Sequence, residues 1–71
     1  MVNVDKLKVE MFACNITHAQ MAKKLGISPK TFGTRLKKKI FMSNEIEMMI
    51  DILKLSIEKA MAIFFDKNVT S

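Results

Sequence analysis

Cysteine, histidine and proline each occur once in this chain of 71 residues, and glycine occurs twice. With Cys14 alone no internal disulfide can form. Cys14 and His18 together are too few soft ligands for a structural zinc site, so no metal is expected. No apolar run approaches the ~18 residues that a membrane span needs. The start of the chain has neither the basic residues nor the apolar stretch of a signal peptide. A cytoplasmic location with no membrane partner is therefore expected. The sequence also has no Ser/His/Asp set, no acid–base pair at working spacing, no activated cysteine and no glycine loop to cradle a phosphate. Neither an enzyme nor a cofactor is expected.

The most informative absence is regional. From Thr17 to Met42 there is no acidic residue, while Lys23, Lys24, Lys30, Arg35, Lys37, Lys38 and Lys39 give that segment a charge of +7. Residues 1–16 balance at zero, with Lys6 and Lys8 against Asp5 and Glu10. Residues 43–71 carry −2, and the three blocks together make the net +5. Segregation of this kind is the footprint of a polyanion partner. A lysine-rich solvated surface is the plainer reading of the same charges.

What is present is helical. At 49% hydrophobic and 27% charged the composition is globular. A chain this short makes one domain, residues 1–71, that buries only roughly 60% of its unfolded surface. Apolar residues recur at helical spacing throughout, and strand alternation is missing. Helices are predicted at about 4–14, 18–25, 29–38, 44–54 and 57–65, with Asn68 to Ser71 frayed. Val4, Leu7, Met11 and Cys14 share one face of the first helix behind an Asn3 cap, which makes Cys14 a small core residue. Thr17 and Gln20 have the spacing of a capping box. Met21, Ala22 and Leu25 face inward, and Gly26 then supplies a left-handed stop. Ser28 caps the third helix, with Pro29 at its first position and Phe32 and Leu36 facing inward. Ile40-Phe41-Met42 reads as a connector tucked under the domain. Ser43 is the expected cap of the fourth helix, whose inner stripe is Ile46, Met49, Ile50 and Leu53. Ser56 is the cap of the fifth, which contains Ala60, Met61, Phe64 and Phe65. The seven methionines read as core filler.

Two capped helices joined by a very short turn, inside an acid-free basic block, are the arrangement of a helix-turn-helix between Thr17 and Lys39. Gln20-Met21-Ala22-Lys23-Lys24-Leu25-Gly26-Ile27-Ser28-Pro29-Lys30-Thr31-Phe32 resembles the helix-turn-helix of the Cro/lambda-repressor superfamily of phage and bacterial transcription factors. Arg35-Leu36-Lys37, the connector, Glu45-Ile46 and the closing Phe64-Phe65 continue the likeness, which spans roughly residues 4–66. The resemblance implies a compact all-α domain of four to five helices, lambda-repressor-like, whose third helix enters the major groove of operator DNA. It implies a transcriptional regulator, a phage or mobile-element repressor or Cro-like protein, working in the cytoplasm of a bacterial or phage-infected cell.

Carried over by position, the resemblance makes Ser28, Pro29, Lys30, Gly33, Thr34 and Lys37 the base-reading residues. Thr17, His18, Arg35, Lys38 and Lys39 become phosphate contacts. Lys30 would donate to guanine, and Thr34 would meet a thymine methyl or a polar base edge. His18 stands where many members have glutamine, and Arg35 where many have an apolar residue. Pro29 and Gly33 carry no hydrogen-bonding side chain, so weak discrimination between sequences is expected. Adjacent Phe64 and Phe65 cannot both face inward on one helix. With Met61 they are candidate contacts of a homodimer. The competing reading is a protein-interaction module, an anti-repressor or partner subunit, built on the same fold.

Overall fold

In a computed structural model describing residues 1–65, five helices follow one another: α1 (Val4–Ala13), α2 (His18–Leu25), α3 (Pro29–Lys38), α4 (Ser43–Ile52) and α5 (Ile57–Phe64). No strand occurs among the described residues. The expected fraying of Asn68 to Ser71 concerns residues outside that range.

Local chemistry accounts for most of the boundaries. Asn3 Oδ1 accepts the Lys6 N–H at 3.1 Å and opens α1. Thr17 Oγ1 accepts the Gln20 N–H at 3.1 Å, and Gln20 Oε1 accepts the Thr17 N–H at 2.9 Å. That reciprocal pair satisfies two of the N–H groups a helix start leaves without partners. Ser28 and Ser56 cap α3 and α5 with a single bond each, accepting the N–H groups of Thr31 and Lys59. Gly26 ends α2 at φ 76°, where a Cβ would be strained.

Several boundaries and faces differ from the expectations. Helix α1 stops at Ala13, Cys14 is its cap residue, and Asn15 takes the left-handed φ of 61°. Cys14 therefore leaves the helical face that buries Leu7 and Met11, and it is exposed rather than a core residue. Helix α4 begins at Ser43, so Met42 and not Ser43 holds the cap position. Glu45 decides this: its Oε1 accepts the Met42 N–H at 2.9 Å, and the residue three beyond the cap is the one placed to reach back to it. That helix ends at Ile52, two residues early, and α5 ends at Phe64. Only Phe41 of the connector is tucked in, whereas Ile40 and Met42 face solvent. In an extended stretch neighbouring side chains point opposite ways. Met11, Met21 and Met49 fill the core, but Met1, Met42, Met48 and Met61 are exposed.

One cluster of buried side chains holds the helices together. Leu7 and Met11 of α1, Met21, Ala22 and Leu25 of α2, Phe32 and Leu36 of α3, Met49 of α4, and Ile63 and Phe64 of α5 all belong to it. The chain's first residues close it: the Val2 N–H donates to Lys39 O at 3.1 Å and the Asn3 N–H donates to Ile63 O at 2.6 Å. Those two bonds tie the end of α3 to α5 and bury Val2 between them.

Candidate nucleic-acid interface

Helices α2 and α3 pack on each other across a three-residue turn, Gly26 to Ser28. Beyond the left-handed Gly26, the Ile27 N–H returns to Ala22 O at 3.0 Å, and Ile27 packs against the core. Ala22 is fully buried where a larger side chain would push the helices apart. Ser28 braces the start of α3, accepting the Thr31 N–H at 3.1 Å and donating its hydroxyl to Thr31 Oγ1 at 2.9 Å.

The period of α3 sorts its residues into two faces. Phe32 and Leu36 are buried, with the Phe32 ring centroid 5.7 Å from those of both His18 and Phe41. Lys30, Gly33, Thr34, Lys37 and Lys38 are exposed away from that face, while Pro29 in the first turn and Ser28 at the cap are exposed at the start of the helix. The structure thus leaves all six candidate base-reading residues exposed and gathers Lys30, Gly33, Thr34 and Lys37, with Lys38, onto one solvent-facing surface. Three of its side chains are lysines and none is acidic. Thr34 donates its hydroxyl proton to Lys30 O at 3.1 Å, which leaves the hydroxyl oxygen as an acceptor. Thr17, His18 and Lys38 are exposed and Lys39 is partly so. Lys39 sits in the left-handed cap of α3 at φ 59°, and α2 starts with the Thr17 box.

Gly33 is not demanded by the fold. A Cβ built there meets no atom within 4 Å, and its φ is not positive. Gly33→Ala is therefore expected to stabilise the protein by up to ~1 kcal/mol, read as a higher urea midpoint at unchanged slope.

Comparison with family models, with curated proteins and with solved structures finds no match to this chain.

Arg35 stands apart from the other candidate phosphate contacts. Its Nε lies 3.0 Å from Glu45 Oε2 and 2.9 Å from Oε1, and its Nη2 lies 3.6 Å from Met42 Sδ. Its charge is balanced inside the protein, so the exposed cations of α3 are lysines. Glu45, only 2% exposed, is a site residue that sequence reasoning missed. Its partner lies ten residues away on another helix, beyond the reach of any local pattern. Of the candidate dimer contacts, Met61 and Phe65 are about half exposed, whereas Phe64 is in the core. Among the described residues no three His, Cys, Asp or Glu side chains are grouped to hold a metal ion, and no helix is long and apolar enough to cross a membrane.

Proposed function

We propose that this chain is a DNA-binding transcriptional regulator, a repressor or Cro-like protein of a phage or mobile element, that lays α3 in the major groove of operator DNA. The observation that carries the reading is the outer face of α3, where exposed lysines and small side chains occur together and no acid intervenes. The major groove, ~12 Å wide, admits one α-helix, and a helix without bulky outward side chains can approach the base edges closely. The α2–turn–α3 unit then acts as a helix-turn-helix of the Cro/lambda-repressor kind. The start of α2 supports this: helix geometry gives the His18 and Ala19 N–H groups no internal acceptor, and a phosphate is the natural one.

Lys30 and Lys37 donate to base edges or phosphates on this reading, and Lys38 and Lys39 neutralise phosphates. Pro29 and Gly33 add shape rather than hydrogen bonds. Met61 on α5 and Phe65, the residue that caps it, provide the contact of a homodimer, which would place two α3 helices one duplex turn apart.

Selection of bound duplexes from a random pool tests the reading. A two-fold symmetric motif is expected, and no enrichment would overturn sequence-specific binding. Neutralisation of about four phosphates per subunit predicts that log K falls with log salt at a slope near −3.6 per subunit. Binding indifferent to salt would overturn the electrostatic part.

A second reading has its own observation. Phe12 and Ile57 are 85% and 83% exposed, and a groove between α1 and α5 has Val9, Ala62 and Ile63 in its lining beside the charged Asp5, Lys6, Glu10 and Lys59. Those surfaces would suit a protein-interaction module. Loss of function from Met61→Ala, with Lys37 and Lys38 expendable, would favour it.

A further inference from the structure

Glu45 is the one charged residue buried among the described residues. Its carboxylate takes the Met42 N–H on Oε1 and grips Arg35 Nε with both oxygens. Stability is a weak reason for such a pair, because a buried ion pair is worth little more than an apolar pair of the same shape. Orientation is the stronger reason. The grip holds the guanidinium by its inner edge, while Nη2 is steadied against Met42 Sδ at 3.6 Å. The Arg35 side chain keeps 28% of its surface exposed, and neither N–H of Nη1 is engaged by the Glu45 grip. On the same flank of α3 lie Thr31, four residues before it, and Lys38, three after it.

We propose that Glu45 is a positioning residue: it aims the outer N–H edge of Arg35 at one backbone phosphate beside the groove and so fixes the register of α3 on the duplex. The inference rests on the DNA-binding reading above. A lysine must freeze a flexible stem to make such a contact, whereas a guanidinium already held in plane presents its N–H fork without that loss. Contacts to phosphate set where the protein sits, and base contacts then read what lies there. Charge alone makes the opposite prediction for Glu45. Removing an anion close to a polyanion should strengthen binding and steepen its salt dependence.

The test compares wild type, R35Q, R35K and E45Q on a duplex enriched from the random pool, and on the same duplex with single neutral methylphosphonates at successive positions. Wild type is expected to lose about 10- to 100-fold in affinity at one position per half-site, the worth of a charge-assisted hydrogen bond. R35Q and R35K should bind the unmodified duplex more weakly by a similar factor and show no further loss at that position. E45Q, shown to be folded by circular dichroism at the assay temperature, should also bind more weakly in spite of its extra positive charge. An R35Q or R35K variant with wild-type affinity and the wild-type methylphosphonate profile overturns the inference. So does a folded E45Q that binds more tightly. Should E45Q not fold, R35K against the methylphosphonate series decides, since it keeps the charge and loses the fork. A wild-type protein that binds no duplex removes the DNA-binding reading itself, whereas unaffected Arg35 variants of a binding protein remove only the positioning role.

Discussion

Phe32→Ala is expected to destabilise the protein by about 3–5 kcal/mol, the usual cost of emptying a fully buried phenylalanine site. A domain of this length has a total stability of roughly 4–10 kcal/mol, so the substitution removes between a third and all of it. The position explains why the cost falls at the upper end. Phe32 is wholly buried, and its ring lies against both the His18 ring at the start of α2 and the Phe41 ring of the α3–α4 connector. A void there would open between two segments at once, so closing it requires more than the movement of one side chain. Urea unfolding followed by far-ultraviolet circular dichroism reads the effect as a lower midpoint, or as a missing folded baseline. Phe12→Ala is the internal comparison, because Phe12 is 85% exposed and its loss should stay within about 0.5 kcal/mol. Equal effects at the two positions would mean that the core is not centred on Phe32.

The contrast between those two phenylalanines shows which parts of the fold sequence reasoning reaches. Asn3, the Thr17–Gln20 box, Gly26, Ser28 with Pro29, and Ser56 were all legible, because each acts within four residues of itself. The inner faces of α2 and α3 were legible for the same reason: Met21, Ala22, Leu25, Phe32 and Leu36 repeat at the helical period and are buried. What escaped depends on distant partners. Val2 is buried because its neighbourhood is bonded to Lys39 and Ile63, and no local pattern announces that. Glu45 stands three beyond Met42, and its reach back to that residue and its grip on Arg35 set the start of α4 and draw a charge into the interior. Cys14 had the right spacing for the core but sits one residue past the end of α1. At the candidate interface the cationic outer face of α3 could be foreseen from charge and period together. The internal commitment of Arg35 could not.

Replacing Lys30, Lys37 and Lys38 together with glutamine should weaken duplex binding by about 10²-fold near physiological salt, with the fold retained. Each lysine that neutralises a phosphate releases about 0.9 of a counterion, so three losses make the slope of log K against log salt shallower by about 2.7 per subunit. All three residues are exposed, so none leaves a cavity or a buried polar group behind. Glutamine is a good helix former, and α3 keeps its Ser28 cap and its Phe32 and Leu36 contacts. The one structural cost is the favourable placement of Lys37 and Lys38 at the negative end of the helix, worth about 0.3–1 kcal/mol apiece. Circular dichroism at the assay temperature separates that modest loss from the much larger loss of binding. Titrations at several salt concentrations supply the slope. Lys23 and Lys24 near the end of α2 give the control, since they lie off the outer face of α3 and their double glutamine variant removes two charges of the same sign. If net charge alone drives binding, that control should lose about two-thirds as much slope as the α3 variant. If the outer face of α3 is the contact surface, the control should lose far less. An α3 variant that binds as wild type does would move the interface elsewhere and favour the exposed apolar surfaces of α1 and α5.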